Sequence, residues 1–108
     1  MMSSRLGICN WSLRPESPLE LIDSTKQCGL SCVQLAIVPL LEDPAWQDAA
    51  TVLHTAGIEI ISGMLETVGE DYSSLASIAT TGGVRPDGSW PATWERAKGV
   101  AQIVAEMK

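Results

Sequence analysis

"GLSCVQLAIVPL" (residues 29–40) returns in altered form as "GIEIISGMLET" (residues 57–67), with Gly57 answering to Gly29. Each copy opens on a glycine followed by a large aliphatic residue, and each follows a segment with helical signals. Upstream of the first copy runs "SLRPESPLELIDSTKQCGL". Ser17 precedes Pro18 and stands three residues before Glu20, which is a capping box with proline at the first helical position. Ser17 is expected to accept the amide of Glu20. Gly29 is the natural stop, because glycine takes positive φ without a steric cost, and Leu30 fits the apolar contact that accompanies such a stop. "CVQLAIV" then has the length and apolar content of a buried strand.

The second copy is built the same way. Asp43 followed by Pro44 is expected to open a helix. Trp46, Ala49, Ala50 and Leu53 fall at i, i+3, i+4 and i+7, on one helical face. Gly57 ends that helix, and "IEIISGML" reads as a third strand rich in β-branched isoleucine. Before the first copy, "RLGICN" alternates Leu6 and Ile8 against Gly7 and Cys9 and reads as the first strand. The recurrence is therefore one βα unit repeating, too irregular for a solenoid.

Past the third strand, residues 66–91 read as an irregular insertion. "DYSSLASIA" is expected to hold a short helix capped by Asp71, and "TTGGVRPDGSWP" a loop. The last helix is expected to start near Thr93, with Ala97, Val100, Ala101 and Val104 on one face. The order β-α-β-α-β-(insertion)-α implies a parallel sheet with right-handed crossovers. A further copy would begin immediately after Lys108.

Composition narrows the function classes. Of the 108 residues, 45% are apolar, enough for one small domain with a core. The formal charge of −6 argues against nucleic acid and anionic lipid as partners. Cys9, Cys28 and Cys32 are odd in number and form no C-x-x-C pair, which suits neither a disulfide framework nor a zinc site. Reduced, mostly buried thiols are expected, and with them a cytoplasmic location. "MMSSRLGICNW" lacks the apolar run of a signal peptide, and no segment approaches the roughly 20 apolar residues of a membrane helix.

Three such units do not complete a fold. Consecutive right-handed crossovers place all the helices on one side of the sheet, whereas parallel strands normally need both faces covered. Five more units completing an eight-stranded barrel would supply the cover, and so would a second copy of the chain packed face to face. A flavodoxin-like sheet would need a helix on the second face, and none is spare. The residue pattern suits a barrel best. Small or polar Gly7 and Cys9, then Cys32, Gln34 and Ala36, would face the crowded interior, while Val33, Leu35 and Ile37 would meet helices. On strand three Glu59, Ile61 and Gly63 would face in and Ile60 and Ser62 out, with the reverse parity left open.

At "LGICNWSL", "SPLELIDSTKQCGLSCVQLAI" and "AGIEIISGMLETVGEDYSSLASI" the chain resembles the opening of the sugar phosphate isomerase/epimerase family, whose fold is the xylose-isomerase-like TIM barrel. The likeness runs from Arg5 to the last helix and rests on the order of elements and the phrases after each glycine. It implies an α/β chain carrying the first three βα units of a (β/α)8 barrel: a three-stranded parallel sheet with helices on one face, an incomplete barrel formed by residues 1–108 as a single partial domain. Many family members hold a divalent metal with Glu, Asp and His side chains on later strands. This chain is thus expected to bind no metal itself and, as a fragment, to be inactive. The implied substrate of the full-length protein is a sugar or sugar phosphate, moved through a metal-assisted proton transfer. A fragment of a metal-dependent hydrolase on the same barrel is the enzymatic rival. A non-catalytic partial barrel, self-associating as a homo-oligomer through the uncovered sheet face, is the alternative from another class.

In such barrels chemistry sits at the C-terminal ends of the strands. Here that means Asn10, Trp11 and Ser12, then Gln34 and Ala36, then residues 64–67. Trp11 is a candidate apolar wall for a sugar ring, against the plainer role of plugging the barrel mouth. Asn10 and Gln34 are candidate hydrogen-bonding partners of sugar hydroxyls, against Gln34 satisfying buried backbone. Glu66 is the candidate for proton abstraction beside a carbonyl if desolvated, against a solvated loop acid. Glu70 and Asp71 are adjacent and point differently, so they are not the opposed pair that glycoside hydrolysis needs. His54, the only histidine, falls beside the apolar stripe of its helix and reads as a surface residue. Cys9 has no histidine placed to activate it. "TTGGVRPDG" offers Gly82, Gly83 and Arg85 to a phosphate, yet no helix follows the glycine pair directly and a lid or surface loop is the plainer reading. Trp90 and Trp94 are expected to pack the last helix onto the barrel.

Overall fold

The alternation of helix and strand signals becomes a three-stranded parallel sheet in the order β1-β2-β3. The structure is a computed structural model and describes residues 6–107. Arg5 at the start of the expected first strand, the residues before it, and Lys108 lie outside the described residues. The elements are β1 (Ile8–Cys9), α1 (Asn10–Leu13), α2 (Pro18–Gln27), β2 (Cys32–Ala36), α3 (Val38–Glu42), a 3-10 turn (Pro44–Trp46), α4 (Ala49–Thr55), β3 (Glu59–Met64), α5 (Leu75–Thr81) and α6 (Trp90–Glu106).

The recurrence of the two glycine-led stretches has one physical cause. At the end of α2 the Gly29 amide donates to the Lys26 carbonyl and the Leu30 amide to that of Thr25. At the end of α4 the Gly57 amide donates to His54 and the Ile58 amide to Leu53. This is the same pair of bonds, a Schellman stop, with Gly29 at φ 73° and Gly57 at φ 80°. The aliphatic residue after each glycine then leads straight into a strand. Gly57→Ala is expected to cost about 1 kcal/mol, because a Cβ is disfavoured at positive φ. Space around that position is open, so the loss is backbone strain alone. Urea unfolding of the variant measures it, and an unchanged midpoint would contradict this account of the stop.

The helix starts follow the sequence less uniformly. Ser17 Oγ accepts the Glu20 amide at 3.2 Å with Pro18 in the first turn, as expected. Asp43 Oδ1 accepts the Ala45 amide at 3.0 Å, but the turn it opens is a single 3-10 turn, and α4 begins only at Ala49. The second strand ends at Ala36, and Val38 with Pro39 begins the unanticipated α3. Asp71 does not cap α5. Its Oδ1 accepts the Ser73 amide in a local turn, and Ser74 Oγ accepts the Ser77 amide as the cap. The last helix starts at Trp90, ahead of Thr93, with Pro91 in its first turn. Its buried side is Thr93 and Val100, with Ile103 and Met107 packed against the core, whereas Ala101 and Val104 are exposed.

The core lies on one side of the sheet. Val33, Leu35 and Ile37 have no exposed surface and pack with Leu21 and Ile22 of α2, Leu53 and Ala49 of α4, Trp46, Val38, Leu40 and Val100. On the opposite side the Cys9 thiol meets Met64 Sδ at 3.6 Å and the Cys32 thiol meets Glu59 Oε2 at 3.7 Å. Cys9, Cys32 and Gln34 are half-buried there, while Glu59, Ile61 and Ser62 are exposed. This corrects the expectation of mostly buried thiols: two sulfurs lie on the uncovered face, and Cys28 is exposed at the end of α2.

Strand three does not alternate simply. Val33 pairs with Ile60 but Gln34 with Ser62, so Ile61 is an extra residue, a β-bulge. Ile61 points to the uncovered face, where its Cδ1 lies 2.9 Å from the position a Cβ on Gly7 would take. Beyond the bulge the parity inverts. Gly63, expected to face in, sits on the helix side, where a Cβ would lie 2.8 Å from Ile37 Cγ1. Ser62 pairs with Gln34, away from the helix side expected for it, and Met64 shares the uncovered face with Cys9.

Candidate functional site

Beyond the C-terminal ends of β1 and β3 lies an open cleft of about 370 Å³ lined by Trp11, Glu66, Glu70 and Tyr72. Trp11 comes from α1, the turn of helix that β1 runs into, and is half exposed. Glu66 follows β3 directly and is exposed. Glu70 and Tyr72 enter from the segment beyond it.

That segment is held by a local polar network. Glu70 Oε1 accepts both the hydroxyl of Thr67 and, at 3.1 Å, its amide. Glu70 Oε2 accepts the Tyr72 hydroxyl at 2.5 Å. Gly69, at φ 82°, makes the turn between these residues. From outside, α6 fixes the same stretch: Thr93 Oγ1 accepts the Val68 amide at 3.1 Å, and Arg96 Nη1 donates to the Glu66 carbonyl at 2.9 Å. Arg96 Nη2 pairs with Glu42 of α3 at 3.1 Å, a half-exposed ion pair worth little on its own.

The Thr67 hydroxyl first, then the Tyr72 hydroxyl, hold the Glu70 carboxyl below its ordinary value of 4.5; the Thr67 amide and the Arg96 charge add to this, against burial. The same Glu70 hydrogen bond chiefly raises the Tyr72 hydroxyl above 10.0. Because the folded value of Glu70 lies below the unfolded one, its contribution is complete above 4.5 and is lost as pH falls through the folded value. The Thr67 amide resonance should therefore titrate with a midpoint below 4.5. A midpoint at or above that value would contradict the network.

The sequence candidates separate in space. Trp11 and Glu66 meet on the cleft. Asn10 is buried, and its Oδ1 accepts the Ala36 amide at 3.0 Å, tying the end of β1 to the end of β2. Gln34 lies on the uncovered sheet face, away from the cleft lining. Glu70 and Tyr72 were missed as site residues. Their signal was the T-x-x-E spacing from Thr67 to Glu70, in which a glutamate side chain reaches back to an amide three residues earlier. Here that spacing closes a turn and starts no helix. Asp71 points away from the cleft to Ser73, so the two adjacent carboxylates do diverge.

Trp90 and Trp94 do not pack onto the sheet. They lie against each other with ring centroids 5.7 Å apart, each nearly half exposed, because the side of α6 facing the core runs through Thr93 and Val100. His54 is exposed on α4.

The carboxylates at the mouth do not fit the divalent metal that the family resemblance implies for a full barrel. Both oxygens of Glu70 are engaged by Thr67 and Tyr72, and no group of three His, Cys, Asp or Glu side chains gathers at one point among the described residues. What the cleft offers is an aromatic surface beside hydrogen-bond acceptors. Also among the described residues, no helix is long and apolar enough to cross a membrane. Comparison of the chain with protein-family models, with curated proteins and with solved structures finds no match.

Proposed function

We propose that this chain forms part of the wall of a xylose-isomerase-like barrel, in a sugar or sugar-phosphate isomerase or epimerase. The observation that carries the reading is the cleft of Trp11, Glu66, Glu70 and Tyr72 at the C-terminal ends of parallel strands, where such barrels bind substrate. Trp11 supplies a flat apolar face for the C–H side of a sugar ring, and the free Glu66 carboxylate accepts from its hydroxyls. Glu70 and Tyr72, locked together, shape the opposite rim. The uncovered sheet face, with Cys9, Cys32, Gln34 and Ile61, corresponds to a barrel interior in this reading. The reacting groups of the enzyme lie outside this stretch, so the chain contributes binding and orientation.

Titration with D-fructose tests the binding role. The Trp11 indole N–H and the Glu66 backbone amide resonances should shift, and the Glu66 shift should vanish in Trp11→Ala. Metal-dependent ketose epimerisation by the purified chain alone would sink this division of labour.

A second reading is favoured by a different observation. Ile61 is 52% exposed in the middle of the uncovered face, an apolar residue on a parallel sheet that normally has both faces buried. In that reading the chain is a non-catalytic partial barrel whose copies cover each other. Light scattering separates the two: a monodisperse small oligomer supports self-association, and a well-behaved monomer counts against it.

A further inference from the structure

The composition of the cleft narrows the ligand class within the sugar reading, and the narrower class stands only if that reading does. Of the four lining side chains two are carboxylates and two are aromatic. The carboxylates are not equivalent. Glu70 is fixed in place, with its two oxygens held by Thr67 and Tyr72, so its charge cannot swing away from an incoming anion. Glu66 is exposed and free to meet a ligand. Carboxylates only accept hydrogen bonds when ionised, as phosphate oxygens do, so the two cannot satisfy each other.

A counter-cation is missing where a phosphate would need one. No lysine or arginine lines the cleft among the described residues. The guanidinium behind it, Arg96, has Nη1 on the Glu66 carbonyl and Nη2 on Glu42, and its side chain is mostly buried. Arg85 lines a separate cavity with Thr80 and Gly82. The aromatic rings work in the same direction as the acids, since the face of a tryptophan or tyrosine ring attracts cations and repels anions.

We infer that this cleft takes an unphosphorylated polyhydroxyl ligand, neutral or carrying an ammonium group, and turns phosphorylated sugars away. Glu66 is the specificity-determining residue in this scheme, because it is the exposed carboxylate of the pair and the one not engaged by Thr67 and Tyr72.

Three probes on one carbon skeleton test it: D-fructose, 1-amino-1-deoxy-D-fructose and D-fructose 6-phosphate, titrated into the full chain at low salt with the Trp11 indole N–H resonance as readout. The amino sugar should bind most tightly and the phosphate at least about tenfold more weakly than fructose, as expected for like charges at a partly solvated site. Glu66→Gln should narrow the gap between fructose and its phosphate to roughly threefold or less, since one of two repelling charges is gone. Added salt should narrow it too. Fructose 6-phosphate moving Trp11 at the same concentrations as fructose would overturn the inference and leave the sugar reading standing, as would a gap unaltered in Glu66→Gln. No shift from any of the three would overturn the sugar reading itself, and the inference with it.

Discussion

Leu35→Ala is expected to destabilise the fold by about 2–5 kcal/mol, the range for truncating a fully buried leucine. Leu35 is central in β2, has no exposed surface and belongs to the cluster shared by the sheet and the helices of both βα units. Its neighbour across the sheet, Gly63, carries no side chain that could swing into the space left behind. A domain of this size gains only about 5–15 kcal/mol on folding, so this one change removes a large share of it. Melting should fall by roughly 10 °C or more, given about 4–8 °C per kcal/mol at the small end of the size range. Leu35→Met, which keeps the volume, should cost less than about 1.5 kcal/mol. Circular dichroism melts of the three chains decide the matter. A Leu35→Ala melt within the error of the parent would mean that the core is centred elsewhere.

Asn10→Ala is expected to cost about 1–3 kcal/mol, because it strands the buried Ala36 amide without an acceptor. The Asn10 side chain is the link between the ends of β1 and β2, and β1 has only two residues in the ladder to hold it otherwise. The effect should be local as well as global. Hydrogen exchange at the Ala36 amide should accelerate by roughly ten- to a hundredfold, at a factor of ten per 1.4 kcal/mol. The Leu35 amide, inside the β2 ladder, should gain less. Equal acceleration at both amides would show that Asn10 acts only through overall stability. The loss should also disturb the cleft, since Trp11 is held by the same short helix.

Much of this architecture was written locally. Two glycines followed by aliphatic residues marked two identical helix stops, and the Ser17-Pro18-Glu20 signature marked a helix start, because in each the deciding bonds lie within four or five residues of one another. The division of β2 into a helix-facing and an uncovered set followed from alternation alone. What was missed depends on longer range or on weaker punctuation. The bulge at Ile61 arises from the match of β3 to its neighbour, which alternation cannot report, and it overturned the expected direction of Gly63. The start of α3 was hidden because Ile37 and Val38 continue an apolar run, although Pro39 was there to suggest a helical first turn. Pro91 carries the same hint for α6, which starts at Trp90 and not near Thr93. At the cleft, Trp11 and Glu66 were found because position past a strand end suffices to find them. Asn10 has a backbone partner 26 residues away and Arg96 one 30 residues away, and such distances leave no trace in a local pattern.

The single inserted residue in β3 divides that strand into two stretches of opposite phase, each anchored to its own row of β2 partners. The upper stretch still meets the core: Gly63 stands opposite Leu35, and a Cβ there would lie 2.8 Å from Ile37 Cγ1. Had the strand run on in a single phase, Ser62 and not Gly63 would stand opposite Leu35, so the extra residue is what brings a position without a side chain to the place where Ile37 leaves no room for one.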